Sequence, residues 1–206
     1  ERGDPRDAFV SNFFDSPDEL PENAIIGTAS PRRECQLLNW RGDLEITLCR
    51  GNVGTRLDKL DSGDYDAIIL AAAGLNRLDL SERIRHFFNP QEFIPAIGQG
   101  ALGIECRIDD TTTLDLIAPL NDATTYDCVT AERIVNQKLN GDCHTPLGVH
   151  AQIIENELYI YGMVGSIEAE QIIHSQTSGA PGTGDILANR LADDLIAKGA
   201  IDLLGH

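Results

Sequence analysis

A chain of 206 residues has room for one or two domains with real cores, and its 42% hydrophobic and 24% charged content is ordinary for a globular protein. A net charge of −17 argues against a nucleic-acid partner, because phosphate binding needs a basic footprint. No apolar stretch reaches the length of a membrane span and the opening ERGDPRDAF is no secretory signal, so no membrane partner is expected either.

In chain order, the first residues are charged and bring no lead-in helix or strand, as though the sequence began partway through a protein. From Asn23 to Leu80 strands and helices alternate. AIIGTAS is a short apolar strand; SPRRECQLLNW begins a helix with Ser30 as N-cap and Pro31 at the first helical position. LEITLCR is the next strand, GNVG a glycine loop, TRLDKLDSG helix-like, and YDAIILAAAG a run suited to a buried parallel strand. This βαβαβ order predicts an α/β fold with an open, mostly parallel sheet and ligands at the carboxyl ends of its strands.

AIGQGALGIECR, residues 96–107, changes character and reads as a crossover between domains, ending in a further strand without an obvious partner nearby. Two helical patterns follow, TTTLDLIAPLN and ATTYDCVTAERIVNQKLN. Three strand-like runs come next (LGVHAQII, LYIYGMVG and AEQIIHSQT), with ENE as the first turn, and an amphipathic helix from Gly184 closes the chain. The last third is therefore a small α+β domain with a three-stranded sheet and helices.

Charge is unevenly spread. Residues 1–107 carry −6 and residues 108–206 carry −11, yet 13 of the 16 basic residues are arginine and eight of those fall between Arg32 and Arg85. Arginine offers a flat fork that grips carboxylates with two hydrogen bonds at once. Arg32 and Arg33 stand in the first turn of a helix, where free N–H groups and the dipole favour an anion and disfavour a cation, so the pair needs a compensating negative group. Arg50 and Arg56 flank the glycine loop, and Arg77 follows the third strand. The loop is neither a Walker loop nor GxGxxG. Four or five arginines on one rim suit a ligand with several carboxylates; the plainer reading is surface charge paired with local acids such as Asp58 or Asp79, as expected for Arg83 and Arg85.

The cysteines are Cys35, Cys49, Cys106, Cys128 and Cys143, an odd number at irregular spacing with no CxxC. That excludes a disulfide framework or zinc site, predicts no metal, and suits a reducing cytoplasm. Cys143 stands apart, on the tip of a turn in LNGDCHTPLGVH.

GTASPRRECQL, LCRGNVGTRLDKL, YDAIILAAAGLNRL, IPAIGQGALGIECR and AER…LNGDCHTPLG, in that order over nearly the whole chain, resemble the porphobilinogen deaminase (hydroxymethylbilane synthase) family. The resemblance implies a monomeric transferase of tetrapyrrole biosynthesis. It joins four porphobilinogen units head to tail, with loss of ammonia, onto a covalent dipyrromethane cofactor, then releases hydroxymethylbilane by hydrolysis. It implies that Cys143 carries the cofactor through a thioether, with Thr28, Ser30, Arg32, Arg33, Arg50, Gly51 and Asn52 around it. Arg32, Arg56, Arg77 and Gln99 would bind the acetates and propionates of porphobilinogen and of the growing polypyrrole. The α/β sheet domain would resemble a type II solute-binding domain. Residues 1–5 and 100–121 would be a remnant of domain 1, residues 6–99 domain 2 with the arginine-lined cleft, and residues 122–206 the cofactor-bearing domain 3.

Two departures accompany this likeness. Asp142 stands where the family often has a second glycine. The family's proton-handling aspartate belongs to an N-terminal stretch absent from this sequence, so the chain reads as a truncated, inactive piece, and neither Asp4 nor Asp7 is given that role. The competing class is a non-enzymatic anion-binding α/β module of solute-binding type, which would have no use for Cys143.

Overall fold

The computed structural model describes residues 1–142, 144–166 and 168–205. Strand β1 (Asp7–Val10) is buried at all four positions. Next come β2 (Ile25–Thr28), α1 (Pro31–Trp40), β3 (Glu45–Leu48), α2 (Val53–Asp61), β4 (Ala67–Ala71), α3 (Ala72–Arg77) and β5 (His86–Phe87). They build one five-stranded sheet of order β3-β2-β4-β1-β5.

The sheet is mixed rather than simply mostly parallel. β2 pairs parallel with β3 and β4, whereas β1 runs antiparallel to both β4 and β5. The strand expected to be missing from the chain's opening is this β1, lodged near the sheet's middle. Helices cover both faces. Leu57, Leu60 and Leu75 join Val10, Ile68 and Leu70 on one side; Leu37, Leu20, Phe88 and Phe93 join Phe9, Ile26 and Ile69 on the other. Buried on both faces, β2 and β4 read as continuous apolar runs, whereas the edge strands β3 and β5 are partly or wholly exposed.

Residues 101–106 were expected to form a strand, but they hold no strand in the structure. They lead past α4 (Thr111–Ile117) and a 3-10 turn (Ala118–Leu120) to α5 (Ala123–Lys138). Leu102, Ile104, Ile108, Leu116 and Leu120 along this stretch are exposed.

The second sheet matches its expectation. β6 (Leu147–Ile154), β7 (Glu157–Gly165) and β8 (Ile172–Gly179) form an antiparallel sheet of order β6-β7-β8. One face packs on α5, α6 (Gly184–Ala197) and α7 (Ala200–Leu203) through Val135, Leu139, Ile160, Leu191 and Leu195. The other face meets the first domain. Tyr161 and Met163 pack with Cys35 of α1 and with Ile94. Among the described residues no helix is long and apolar enough to cross a membrane.

Candidate functional site

Three parallel strands end on the same edge of the first sheet, and the chain turns there each time. After β2, Ser30 accepts a hydrogen bond from the Arg33 N–H (3.4 Å) and caps α1, with Pro31 supplying the pre-set backbone of the first turn. After β3, the Asn52 side chain accepts from the Thr55 N–H (2.8 Å) and caps α2. Gly51 before it has φ +126°, and a Cβ there would lie 2.9 Å from the Thr55 side chain, so only glycine forms this loop without strain. β4 runs directly into α3, where Gly74 faces Val53 of the glycine loop's helix.

Arg50 is exposed on this loop, and Arg56 folds back to donate to the Gly51 carbonyl (2.8 Å). Arg77 donates to the Gly100 carbonyl (3.0 Å). Among the described residues no carboxylate lies within 4.0 Å of Arg50, Arg56 or Arg77. Two capped helix starts and three arginines without acid partners give the edge a positive, donor-rich rim. That donor set fits a group bearing several carboxylates, such as a dipyrromethane.

Arg32 and Arg33 are different. Both are buried, at 3% and 8% exposure, and both meet Asp7, which is fully buried at the start of β1. Arg33 donates to Asp7 Oδ1 through Nε (3.0 Å) and Nη2 (2.8 Å), and to the Ile69 carbonyl. Arg32 donates to Asp7 Oδ2 (2.7 Å) and to the Ile94 carbonyl (2.6 Å). The anion that compensates two arginines at a helix start is therefore present within the chain itself. Burial alone would raise the Asp7 pKa; the two guanidiniums outweigh it and hold the carboxyl below the usual aspartate range.

Gln99 ties the crossover to this knot. Its amide donates to the Pro5 carbonyl (2.6 Å) and to Asp7 Oδ1 (3.1 Å), and its oxygen faces Arg32 Nη2 at 3.4 Å. Thr28, buried beside Ser30, offers its hydroxyl to the Ser30 N–H (3.3 Å).

Cys143 lies outside the described residues. Among its described neighbours, the Asp142 carboxylate accepts from the His144 N–H and the Thr145 hydroxyl, both at 2.8 Å. Asp142 thus holds the backbone at His144 and the Thr145 side chain. Of the other cysteines, Cys35 and Cys128 are thiols that burial pushes up to about 11, which leaves them protonated and inert near neutrality. No cluster able to hold a metal ion occurs among the described residues.

Two acids central to the structure carry no signal in composition or spacing. Asp7 looks like one more charge in a charged opening. Glu132 sits mid-helix in α5 yet is fully buried, accepting from Arg2 (2.6 Å), Gly98 N–H (2.6 Å) and Ala151 N–H (2.8 Å). Their one available clue is position: Asp7 opens the buried run DAFV, and Glu132 shares a helix face with Cys128, Ala131 and Val135. Arg83 and Arg85 do pair with acids, though with Asp61 (2.7 Å) and Asp15 (3.7 Å) rather than Asp58 or Asp79.

Comparison with protein-family models gives two matches. Residues 1–115 match the model described as "Porphobilinogen deaminase, dipyromethane cofactor binding domain". Residues 126–197 match "Porphobilinogen deaminase, C-terminal domain". The first match carries the whole arginine rim, and the second carries Cys143.

Proposed function

Because the chain belongs to the porphobilinogen deaminase family, a family of transferases in porphyrin biosynthesis whose cofactor is dipyrromethane, we propose that the rim at the strand ends is the cofactor and substrate site of such an enzyme. The complete protein would condense four porphobilinogen units head to tail with loss of ammonia, then release hydroxymethylbilane by hydrolysis. The observation that carries this reading is the donor-rich edge: Arg50, Arg56 and Arg77, without acid partners among the described residues, beside the capped starts of α1 and α2.

The dipyrromethane, when bound, supplies the pyrrole to which new units are joined. Cys143 would hold it through a thioether, a bond that survives a reducing compartment such as the cytoplasm. Thr28, Ser30, Arg32, Arg50, Gly51 and Asn52 would surround it, offering N–H, hydroxyl and guanidinium donors to its acetates and propionates. Arg33, with all three of its nitrogens engaged inside the protein, would act by keeping Asp7 and Arg32 in place. Arg56, Arg77 and Gln99 would meet the carboxylates of incoming porphobilinogen. Asp7, ionised and gripped by two arginines, is suited to positioning rather than to passing protons.

We place the working unit as a monomer with domain 2 at residues 6–99 and the cofactor-bearing domain 3 at residues 122–206. The likeness of domain 2 to type II solute-binding domains would extend to holding anions where strands end and helices begin.

The test is the intact mass of the purified protein with peptide mapping across Cys143. A two-pyrrole adduct on that cysteine, absent from Cys143→Ser with folding preserved, is the expected result. A serine variant that still carries the adduct would overturn the thioether assignment. Arg56→Lys and Arg77→Lys should each weaken porphobilinogen binding by about tenfold or more, since lysine keeps the charge and loses the fork. Unchanged affinity in both would remove the carboxylate rim from the argument.

A further inference from the structure

His150, in the middle of β6, is 2% exposed, and neither ring nitrogen has a hydrogen-bond partner among the described residues. A buried polar group left unpaired is rare enough to need an explanation. Its Nδ1 stands 3.6 Å from Glu132 Oε1, just beyond hydrogen-bond range. That oxygen is already taken: Arg2 Nη1 donates to it at 2.6 Å and the Ala151 N–H at 2.8 Å. Oε2 accepts from the Gly98 N–H at 2.6 Å and from Arg2 Nη2 at 3.4 Å.

Arg2 also donates from Nε to the Gln99 carbonyl (2.8 Å), and the neighbouring Gly3 N–H donates to the Gly100 carbonyl (3.0 Å). The N-terminal segment is thus clasped to the crossover through Glu132. The charge balance is closed, with one buried carboxylate and one guanidinium. A proton added to His150 would leave the pocket with an excess positive charge, which a low-dielectric interior resists. Of the two donors on Oε1, the Ala151 N–H is fixed in the β6 backbone, whereas Arg2 is a flexible side chain at 11% exposure with a route to water.

We propose that His150 and Glu132 form a proton-operated latch on the Arg2–Gly3 segment: when the imidazole takes a proton from solvent it claims Glu132 Oε1, and Arg2 is released to water together with the Gly3–Gly100 contact. Both states keep one cation against the buried carboxylate, so the exchange conserves the pocket's charge. The remaining groups around His150 leave the choice to these three. Tyr161 stands opposite it on β7, Arg32 of α1 abuts the adjacent Gly148 and is held by Asp7, Cys128 lies one turn along α5 from Glu132, and the crossover 94–99 has no ionisable side chain. Arg32, already paired, adds to the cost of a second free cation nearby. The latch is closed at higher pH and opens as the pH falls, because the closed state excludes the proton that the open state binds.

NMR-detected exchange of the Gly3 amide, corrected for the intrinsic pH dependence, reads the latch directly. Between about pH 8 and about pH 5, the interval in which imidazoles generally change charge, Gly3 should lose about tenfold of its protection. His150→Gln should remove that pH dependence, and Arg2→Ala should exchange fast throughout. Should His150→Gln fail to fold, the ring of His150 in the unmodified protein decides: it must become protonated over the same interval in which Gly3 loses protection. A ring still neutral at about pH 5, Gly3 protection independent of pH, or an unchanged pH profile in His150→Gln would each overturn the latch.

Discussion

Asp7 shows how one buried side chain can decide what its neighbours are free to do. It engages Arg32 and Arg33 with both oxygens and receives Gln99 as well. Replacing it by asparagine would leave two guanidiniums buried against a neutral group, and removing one side of a buried ion pair costs about 3–5 kcal/mol. Urea unfolding of Asp7→Asn at neutral pH should show a loss of that order; a loss below about 1 kcal/mol would mean the pair only breaks even with its burial. The sign with pH follows from the depressed folded pKa. The ionised carboxyl stabilises the fold above the ordinary aspartate range, near about pH 4, and that contribution disappears as the pH falls through the lower folded value. The difference between the two proteins should therefore shrink at about pH 3. Glu132 carries the same sign: burial would raise its pKa, and the groups around the carboxylate outweigh burial and lower it.

At the scale of elements, the docking of the three-stranded sheet on the first domain depends on close backbone approach. A Cβ on Gly148 of β6 would lie 2.9 Å from the Ile94 carbonyl oxygen and 3.2 Å from Arg32 Cδ. The carbonyl is backbone and also accepts from Arg32 and Gln36, so it cannot give way cheaply. Gly148→Ala should lower stability by about 1–3 kcal/mol in a thermal melt and loosen the Arg32 contact; an unchanged melt would show that the sheets slide apart without cost. The elements involved differ in how well they could be read from sequence. β6 and β7 were legible because long strands bounded by the Glu155–Asn156 turn carry their signal locally, and α1 because Ser30 and Pro31 are local start signals, whereas the Asn52 cap of α2 lay unread inside the glycine loop. β1 was not, since four residues buried on both faces have no alternation and its partner β4 lies some sixty positions away. GALGIECR has strand-like composition but pairs with no strand among the described residues, and composition cannot report that. The same divide runs through the site. Arg50, Arg56 and the Ser30 cap were visible in loops, while the buried partners of Arg32 and Arg2, namely Asp7 and Glu132, exist only once distant segments meet.

The whole molecule is two layered units joined by a small number of strong contacts, and the question at that scale is whether they unfold together. The joint comprises the apolar meeting of Cys35, Ile94, Tyr161 and Met163, and the polar clasp of Arg2, Gly98 and Ala151 on Glu132. Trp40, the chain's single tryptophan, lies at the end of α1 against the Phe88 ring and so reports on the first sheet alone. Far-UV circular dichroism is weighted towards the second unit by α5 and α6, the two longest helices in the described residues at 16 and 14 residues. If the joint couples the units, urea transitions followed by the two probes coincide, and Glu132→Gln separates them. That variant halves the carboxylate's acceptor capacity and leaves Arg2 without its anion, yet it barely changes either unit's own apolar core. The first sheet, tied at Arg2 and at Gln99, should then keep its midpoint less well than the second, whose α5, β6 and α6 share an apolar core of their own. Transitions that already differ in the unmodified protein would place the two units in separate folding equilibria, with the Glu132 clasp a contact made only after both have folded.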